Sequence, residues 1–234
     1  MNDRPTALLF DVQGTATDFH STIRRAAEQL AGDRYPDQDW SRFVNDWRTA
    51  YFTETSRQPQ DGPWVSVASI YRRTLDTVLD SRGLHLDPID RDTLTRAWTR
   101  LDPWPDTVAG LHRLRTRYLL ATLSNADVSA VVEITRHADL PWHAVFTAEM
   151  AGAFKPDPRT YHLAATYLGL APADIMMVAC HKYDIRAAAA LGFRTAFVAR
   201  PYEYGDIALA DIEFSEEFDI NATDFLDLAT QLGC

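Results

Sequence analysis

The sequence predicts an α/β fold in which a Rossmann-like, doubly wound parallel sheet forms the core and a helical cap is inserted into it. Apolar runs of strand length alternate with helical patterns between residues 103 and 198, as in a parallel sheet covered by helices on both faces. A further apolar run stands alone near the amino terminus, and a mainly helical stretch separates it from the alternating part. We therefore expect a core of residues 1–16 and 103–234 and a helical cap of residues 17–102.

The amino-terminal part begins with one strand and continues into the cap. The first predicted strand is the apolar run of residues 7–12, which ends in a turn marked by Gly14 and Thr15. The helical patterns of the cap cover residues 21–30, 40–52, 65–79 and 93–101. The predicted loops, rich in proline, glycine and aspartate, cover residues 58–63 and 82–92.

The carboxy-terminal part repeats a helix–strand rhythm. Its predicted helices are residues 107–117, 128–137, 158–168 and 184–191. Its predicted strands are residues 118–123, 144–147, 175–179 and 194–198. Glycines at positions 169 and 192 close two of these helices, as is common at helix ends.

Composition limits the partners of the chain. The 234 residues carry a net charge of −10 with a pI near 5.1, so we expect neither nucleic acid nor an anionic membrane as a partner. An anionic substrate would need a locally cationic site. Two cysteines give no disulfide framework, and the apolar run before Asp11 is too short for a signal peptide, so we expect a cytoplasmic protein.

Polar side chains follow several predicted strands. Asp11 ends the first apolar run, Ser124 and Asn125 follow the second, and His181 with Asp184 follows a later one. Ligands of such sheets bind outside the carboxyl ends of the strands. These distant residues are therefore expected to meet in one crevice, together with a lysine at position 155 in a predicted loop.

Four segments resemble the ordered motifs of the haloacid dehalogenase superfamily. They read FDVQGT from Phe10, LSN from Leu123, FKPD from Phe154 and VACHKYD from Val178. Within the superfamily the chain resembles the type II, (S)-2-haloacid dehalogenase branch. The resemblance implies a hydrolase that acts at C2 of a small carboxylic acid through an aspartyl ester, giving a 2-hydroxy acid and halide without a metal or another cofactor.

The resemblance also implies roles for the motif residues. Asp11 matches the nucleophile, a carboxylate that forms an ester which water then cleaves. Thr15 and Ser124 match hydroxyls that bind this carboxylate, and Lys155 matches an ammonium that keeps it ionised and oriented. Asp184 matches the acid that positions or activates the hydrolytic water.

A second group of residues is expected to hold the substrate and its leaving group. Arg48 matches an arginine that binds the substrate carboxylate or the departing halide, for which a guanidinium is well suited. His181 stands where many relatives carry asparagine; it would suit a small leaving group such as fluoride, act as a base, or be a buried structural histidine. The remaining candidates for this pocket are Asn125, Gln13, Phe19, Trp47 and Tyr183.

The same positions argue against a phosphatase, which is the commoner activity in this superfamily. Phosphatases of the superfamily need an acid two residues after the nucleophile, where this chain has Gln13, and acids in the fourth motif that hold Mg²⁺. The fourth motif has the single acid Asp184. His181 and Asp184 could bind a metal in principle, but the sequence shows no third ligand near them.

Three alternatives stay open at this point. Gln13 replaces the aromatic residue usual in the type II branch, and a polar side chain there would suit the amine leaving group of azetidine-2-carboxylate hydrolase, a member of the same branch. A Mg²⁺-dependent phosphatase and a non-catalytic binding protein on the same fold are the others. Trp40 and Trp64, expected to be exposed, suggest a homodimer face.

Overall fold

Strands and helices alternate along the computed structural model, which describes residues 4–58 and 62–234. Its strands are β1 (Ala7–Phe10), β2 (Thr17–Asp18), β3 (Asp102–Pro103), β4 (Leu119–Ser124), β5 (Ala144–Thr147), β6 (Ile175–Ala179), β7 (Arg194–Val198) and β8 (Ile220–Ala222). Its helices are α1 (Phe19–Ala31), α2 (Trp40–Ser56), α3 (Val67–Ser81), α4 (Pro88–Ala97), α5 (Thr107–Arg115), α6 (Val128–His137), α7 (Ala148–Ala151), α8 (Pro158–Leu168), α9 (Lys182–Ala190) and α10 (Phe225–Gln231).

The central sheet has six parallel strands in the order β5-β4-β1-β6-β7-β8. Leu8 and Phe10 of β1 point into one apolar core, and Ala7 and Leu9 point into another. A strand buried on both faces explains the unbroken apolar run of β1, because a strand with one wet face would alternate. The sheet and its helical layers confirm the predicted α/β fold class, with β1 at the centre.

Four helices, α1 to α4, separate β1 from the rest of the sheet. The chain leaves and returns through a two-stranded antiparallel ribbon in which Thr17 of β2 lies opposite Pro103 of β3. Polar side chains fix the starts of the helices, since Asp39 accepts from Arg42 N before α2. The division into a core and a cap at residues 17 and 102 stays a prediction.

The fourth cap helix differs from its prediction. The structure has α4 over Pro88–Ala97, so the predicted helix 93–101 starts too late and the predicted loop 82–92 is partly helical. Asp87 caps the helix by accepting from Asp90 N, and Pro88 occupies the first turn. Proline is favoured there because its missing N–H leaves no helical hydrogen bond unmade. The sequence pattern predicts a loop at this proline, whereas in the structure Pro88 begins a helix.

The short strand β8 and helix α10 at the carboxyl end were not predicted, because neither is long enough to show a clear period. The predicted loop 58–63 lies partly outside the described residues.

The two tryptophans expected to be exposed are not. Trp40 is buried and packs edge-on against Phe43. Trp64 is partly buried, stacks near Phe154 and donates from Nε1 to Asp127. The expectation of exposed aromatics is wrong, and the argument for a dimer face loses its basis. Across residues 4–58 and 62–234, no helix has both the length and the apolar character needed to cross a membrane.

The cap helices are joined to the sheet edge by specific hydrogen bonds. Asp127, just before α6, accepts from the backbone N–H groups of Val67 and Ala68 at the start of α3. Tyr51 of α2 donates from its hydroxyl to the backbone carbonyl of Asn125 at 2.8 Å. Helices α2 and α3 therefore cover the carboxyl ends of the central strands.

Candidate active site

Asp11 directly follows the central strand β1 and is buried. Its backbone N–H continues the sheet by donating to Val178 O. The side chain holds a donor on each oxygen: Lys155 Nζ lies 2.9 Å from Oδ1, and Thr15 Oγ1 lies 2.8 Å from Oδ2. The turn that brings Thr15 back is tight, with the N–H groups of residues 16 and 17 both donating to Val12 O.

Lys155 connects two carboxylates. Its ammonium also donates to Asp184 Oδ2, and Tyr161 donates from its hydroxyl to Asp184 Oδ1 at 2.6 Å. The backbone of Lys155 is fixed by the side chain of Asn125, which accepts from Lys155 N at 2.7 Å and donates to Lys155 O at 3.2 Å. The loop between α7 and α8 is thus held so that its lysine reaches Asp11 at the sheet edge.

The charges in this network are set by burial and by their neighbours. Burial alone would raise the pKa of Asp11, but Lys155 and His181 outweigh it and hold that pKa well below its usual range. Burial raises the pKa of Asp184, and Lys155 only partly offsets this. Burial lowers the pKa of Lys155, but the two carboxylates raise that pKa by more than burial lowers it, so the ammonium stays charged. Asp11 is therefore an ionised carboxylate, held in one orientation.

His181 follows β6 and lies between two acids. Nδ1 is 3.4 Å from Asp11 Oδ2, and Nε2 is 2.7 Å from Glu203 Oε1. Glu203 comes from the loop after β7 and is itself buried. Sequence reasoning missed Glu203, because its loop carries no strand or helix pattern that would place it at this edge.

Arg48 reaches the site from α2. Its guanidinium donates to Gln13 Oε1 at 3.0 Å and to the hydroxyl of Tyr71, and Tyr71 also donates to Gln13 Oε1. Its carbon Cζ lies 4.6 Å from the centre of the Phe52 ring and 5.0 Å from that of Tyr51, so the cation is held among aromatic faces. Nε of Arg48 is buried and has no hydrogen-bond partner within the described residues, which leaves a charged donor for an anion.

These groups surround one very small cavity with a volume of about 10 Å³. Most of the predicted site residues line it, and Tyr51 and Phe52 complete the wall. The lining residues are Asp11, Gln13, Arg48, Tyr51, Phe52, Ser124, Asn125, Lys155, His181 and Tyr183.

Other predicted residues lie just outside the cavity. Thr15 and Asp184 support Asp11 and Lys155 from behind. Phe19 lies beneath the guanidinium of Arg48 at 4.9 Å. Trp47 is packed in the cap, where its Nε1 donates to Tyr71 O, and it forms no part of the cavity wall. Trp47 thus supports the wall from within the cap.

Two placements differ from the expected roles. Ser124 lines the cavity, but its hydroxyl is not among the groups bonded to Asp11 in the part of the chain that the structure describes. Asn125 was expected to cradle the leaving group, and its amide is instead engaged with the backbone of Lys155. Tyr71 and Tyr161 were missed because each reads as an ordinary apolar position of an amphipathic helix.

One group of side chains among the described residues could hold a metal ion. Cys180, His181 and Glu203 place one ligand atom each within 4.8 Å of the others. Of the pair His181 and Asp184 considered from the sequence, only His181 belongs to this group, and Cys180 and Glu203 complete it. Sγ of Cys180 lies 3.3 Å from Thr15 Oγ1, and burial raises the pKa of the thiol. A protonated thiol is a poor metal ligand, so this cluster fits hydrogen bonding better than coordination.

Known proteins share this fold and sequence pattern. A family model of haloacid dehalogenase-like hydrolases matches residues 5–192. An (S)-2-haloacid dehalogenase of Pseudomonas sp. strain YL is 29% identical over 196 residues, covering 82% of this chain and 82% of that protein. The crystal structure of an L-2-haloacid dehalogenase is 38% identical, with a TM-score of 0.91 over 98% of this chain and 100% of the other. That of a defluorinating L-2-haloacid dehalogenase is 34% identical, with a TM-score of 0.93 over 98% and 96%.

Proposed function

The chain belongs to the haloacid dehalogenase-like hydrolase family, and on that basis we propose that it is an (S)-2-haloacid dehalogenase, converting a small 2-haloacid and water into a 2-hydroxy acid and halide. Family membership confirms the resemblance seen in the four motifs. The observation that carries the proposal is the buried Asp11 carboxylate, oriented by Lys155 and Thr15 on a cavity that Arg48 also lines.

The first step is substitution at carbon. Arg48 binds the anionic end of the substrate or the departing halide, because its Nε is a buried donor without a protein partner within the described residues. One oxygen of Asp11 attacks C2 in line with the carbon–halogen bond. The halide leaves with the bonding electrons, C2 is inverted, and an ester joins C2 to Asp11. Aromatic walls from Tyr51 and Phe52 exclude water from the nucleophile.

The second step is hydrolysis of that ester. Water attacks the carboxyl carbon of Asp11 and gives a proton to Asp184, whose raised pKa suits a general base. The charge on the carbonyl oxygen is stabilised whichever oxygen attacked first, since Lys155 is bound to Oδ1 and Thr15 and His181 face Oδ2. The bond from the carboxyl carbon to the substrate oxygen then breaks, and the proton on Asp184 passes to the oxygen of the departing hydroxy acid. The second proton of the water is released to solvent, which returns Asp11 to its carboxylate form.

The donor set around Asp11 fits an ammonium better than Mg²⁺. Both carboxylate oxygens already accept from side chains, one of them from the cation of Lys155. The residue two positions on is Gln13, and its oxygen accepts from Arg48 and Tyr71. Mg²⁺ favours several oxygen ligands in octahedral geometry, which this arrangement does not offer. We expect turnover to be unchanged by EDTA.

Isotope labelling tests the ester intermediate directly. In ¹⁸O-water, a single turnover with enzyme in excess should place ¹⁸O in the carboxylate of Asp11 and leave the first product unlabelled. Mass spectrometry of the peptide containing Asp11 and of the hydroxy acid measures both. Label in the first product would indicate direct attack by water. The D11N variant should lose turnover with every substrate, and full activity in that variant would refute the mechanism.

A substrate panel tests the leaving group. We expect halide release from fluoro-, chloro- and bromoacetate and from (S)-2-halopropionates, measured by ion chromatography with EDTA present. Fluoride is included because the cavity is small and a relative of 34% identity is a defluorinating dehalogenase. If no haloacid releases halide while a phosphate ester is hydrolysed with Mg²⁺, the chain is a phosphatase.

Azetidine-2-carboxylate is the second candidate substrate, because Gln13 places a polar amide on the cavity wall. Opening its ring would give an amino hydroxy acid without halide, so product analysis separates the two reactions. The oxygen of Gln13 already accepts from Arg48 and Tyr71. We therefore infer that Gln13 orients Arg48, and we expect haloacids to be the better substrates.

A further inference from the structure

The His181 ring has an acid at each of its nitrogens. Nδ1 faces Asp11 Oδ2 at 3.4 Å, and Nε2 faces Glu203 Oε1 at 2.7 Å. The side chains of His181 and Glu203 are 11% and 6% exposed, so water has little access to the pair. A neutral imidazole has one N–H and could donate to only one of these carboxylates. The geometry therefore favours a doubly protonated ring, which can face both carboxylates with an N–H.

Glu203 is fixed in this position by its surroundings. Its backbone N–H donates to Arg200 O, and Arg200 is anchored by donating to Thr15 O at 2.8 Å. The carboxylate packs against Gly14, where an added Cβ would lie 2.5 Å from Oε1 of Glu203. Gly14 also has φ +96°, which other residues rarely adopt. The lack of a side chain at Gly14 therefore leaves space for the carboxylate of Glu203.

The balance of charges agrees with a protonated ring. Among the described residues, the charged side chains around the cavity are three acids and, with His181 protonated, three cations, so their charges cancel before substrate enters. They are Asp11, Asp184, Glu203, Arg48, Lys155 and His181.

Other groups also face the ring. Cys180 precedes it in the chain, the Tyr183 ring lies 5.8 Å from it, and Tyr204 stands near Glu203. Burial would lower the pKa of His181, but the carboxylates of Glu203 and Asp11 outweigh burial and hold that pKa above its usual value.

We propose that Glu203 is a positioning residue that keeps His181 doubly protonated and turned towards Asp11. The imidazolium then acts as a second cation on the nucleophile, opposite Lys155, and stabilises the oxyanion during ester hydrolysis without giving up its proton. The kinetic part of this inference rests on the proposed function. The protonation state does not, since it concerns the enzyme without substrate.

Nitrogen NMR of the free enzyme tests the protonation state. With ¹⁵N-labelled histidine and the H181N variant for assignment, both ring nitrogens of His181 should carry protons at pH 7 and above. In the E203Q variant the ring should titrate at least about one pH unit lower, because an opposite charge is removed. E203D should restore most of the difference. A neutral His181 at pH 7 in the unmodified enzyme would overturn the inference without any variant.

Kinetics test the consequence for catalysis. The alkaline limb of kcat should move to lower pH in E203Q by the same amount as the NMR titration, and E203Q in an H181N background should shift nothing further. Y202A, a change at an exposed residue in the same loop, serves as a matched control that keeps the pH profile. Loss of activity in E203Q without a shift of the limb would indicate a merely structural role. If the unmodified enzyme released no halide, the proposed function would fail while the NMR result still decided the charge of His181.

Discussion

Lys155 contacts both Asp11 and Asp184, yet the pKa values of these two acids are shifted in opposite directions. Asp11 stays ionised because its pKa lies well below the usual range, whereas burial raises the pKa of Asp184. A base must be ionised to act, so kcat should fall as the pH drops through the pKa of Asp184 and not through that of Asp11. The hydrogen bond from Tyr161 stabilises the ionised form of Asp184. Removing it in Y161F should raise this pKa and move the acid limb of kcat to higher pH.

The measurement is the pH profile of kcat for a chloroacid in the unmodified enzyme and in Y161F. Y167F supplies the matched control, because Tyr167 lies on the same helix and is exposed. An acid limb that stays in place in Y161F would show that Asp184 is not the group that titrates.

Arg48 depends on its planar shape as well as its charge. It lies against aromatic rings and donates to Gln13 and to the hydroxyl of Tyr71. R48K keeps the charge but loses the flat fork, so KM for chloroacetate should rise by roughly 10- to 100-fold, the equivalent of one charge-assisted hydrogen bond. Y71F should have a smaller effect, since the guanidinium keeps Gln13. Equal KM values for R48K and the unmodified enzyme would show that the guanidinium of Arg48 does not contribute to substrate binding.

At the residue scale, motif position predicted more than composition did. Asp11, Lys155, Thr15 and Asp184 meet because each follows a strand or lies in a loop at one sheet edge, which the order of the motifs makes predictable. Glu203 could not be found in this way. Its contact with His181 depends on how a loop after β7 folds back, and nothing in the local sequence specifies that path.

Among the elements, patterns predicted the buried strands best. β5, β6 and β7 have the predicted bounds, because each contains a short apolar run of strand length. The boundary of α4 was missed because Asp87 and Pro88 suggest a loop unless their capping geometry is considered. The limits of these buried strands were thus easier to predict than the start of helix α4.

Helices α5 and α10 meet at a glycine. A Cβ added to Gly110 would lie 2.5 Å from Phe225 Cβ and 2.8 Å from its carbonyl carbon. Alanine should gain about 1 kcal/mol in helix propensity, but moving α10 away costs about 1–3 kcal/mol. We therefore expect G110A to lower the free energy of unfolding, measured by urea denaturation. A109G, at an exposed neighbouring position, reports the propensity contribution alone. A G110A protein more stable than the unmodified one would show that α10 is free to shift.

At the scale of the whole molecule, Arg200 connects segments distant in sequence. It donates to Thr15 O after β1 and binds the carboxylate of Asp106, before α5, with two hydrogen bonds of 2.7 and 2.9 Å. Arg200 is buried and Asp106 is partly buried, so removing one partner of the pair leaves an uncompensated charge. R200M should therefore lower the free energy of unfolding by about 3 kcal/mol at pH 7, and R200M/D106N should recover part of that loss.

The pH dependence of this loss has a definite sign. Burial raises the pKa of Asp106, but Arg200 outweighs it and lowers the folded-state value. The pair therefore stabilises the fold above the unfolded pKa of aspartate, and this stabilisation disappears as the pH falls through the lowered folded value. Without Arg200 the buried carboxylate protonates more readily. The difference between R200M and the unmodified protein, from urea unfolding at pH 7 and pH 4, should shrink at pH 4. A constant difference would mean that Asp106 does not carry the charge.

The bond from Tyr51 to Asn125 connects the roof of the cavity to the lysine beneath it. The hydroxyl of Tyr51 donates to the backbone carbonyl of Asn125, and the side chain of Asn125 binds both the backbone N–H and the backbone carbonyl of Lys155. Swinging α2 outwards to admit a haloacid would strain this linkage and loosen the ammonium from Asp11. Substrate entry and orientation of the nucleophile are therefore coupled. Lys155 holds Asp11 in its reactive orientation only when α2 is closed over the cavity, so a bulky substrate that keeps α2 displaced meets a less reactive carboxylate.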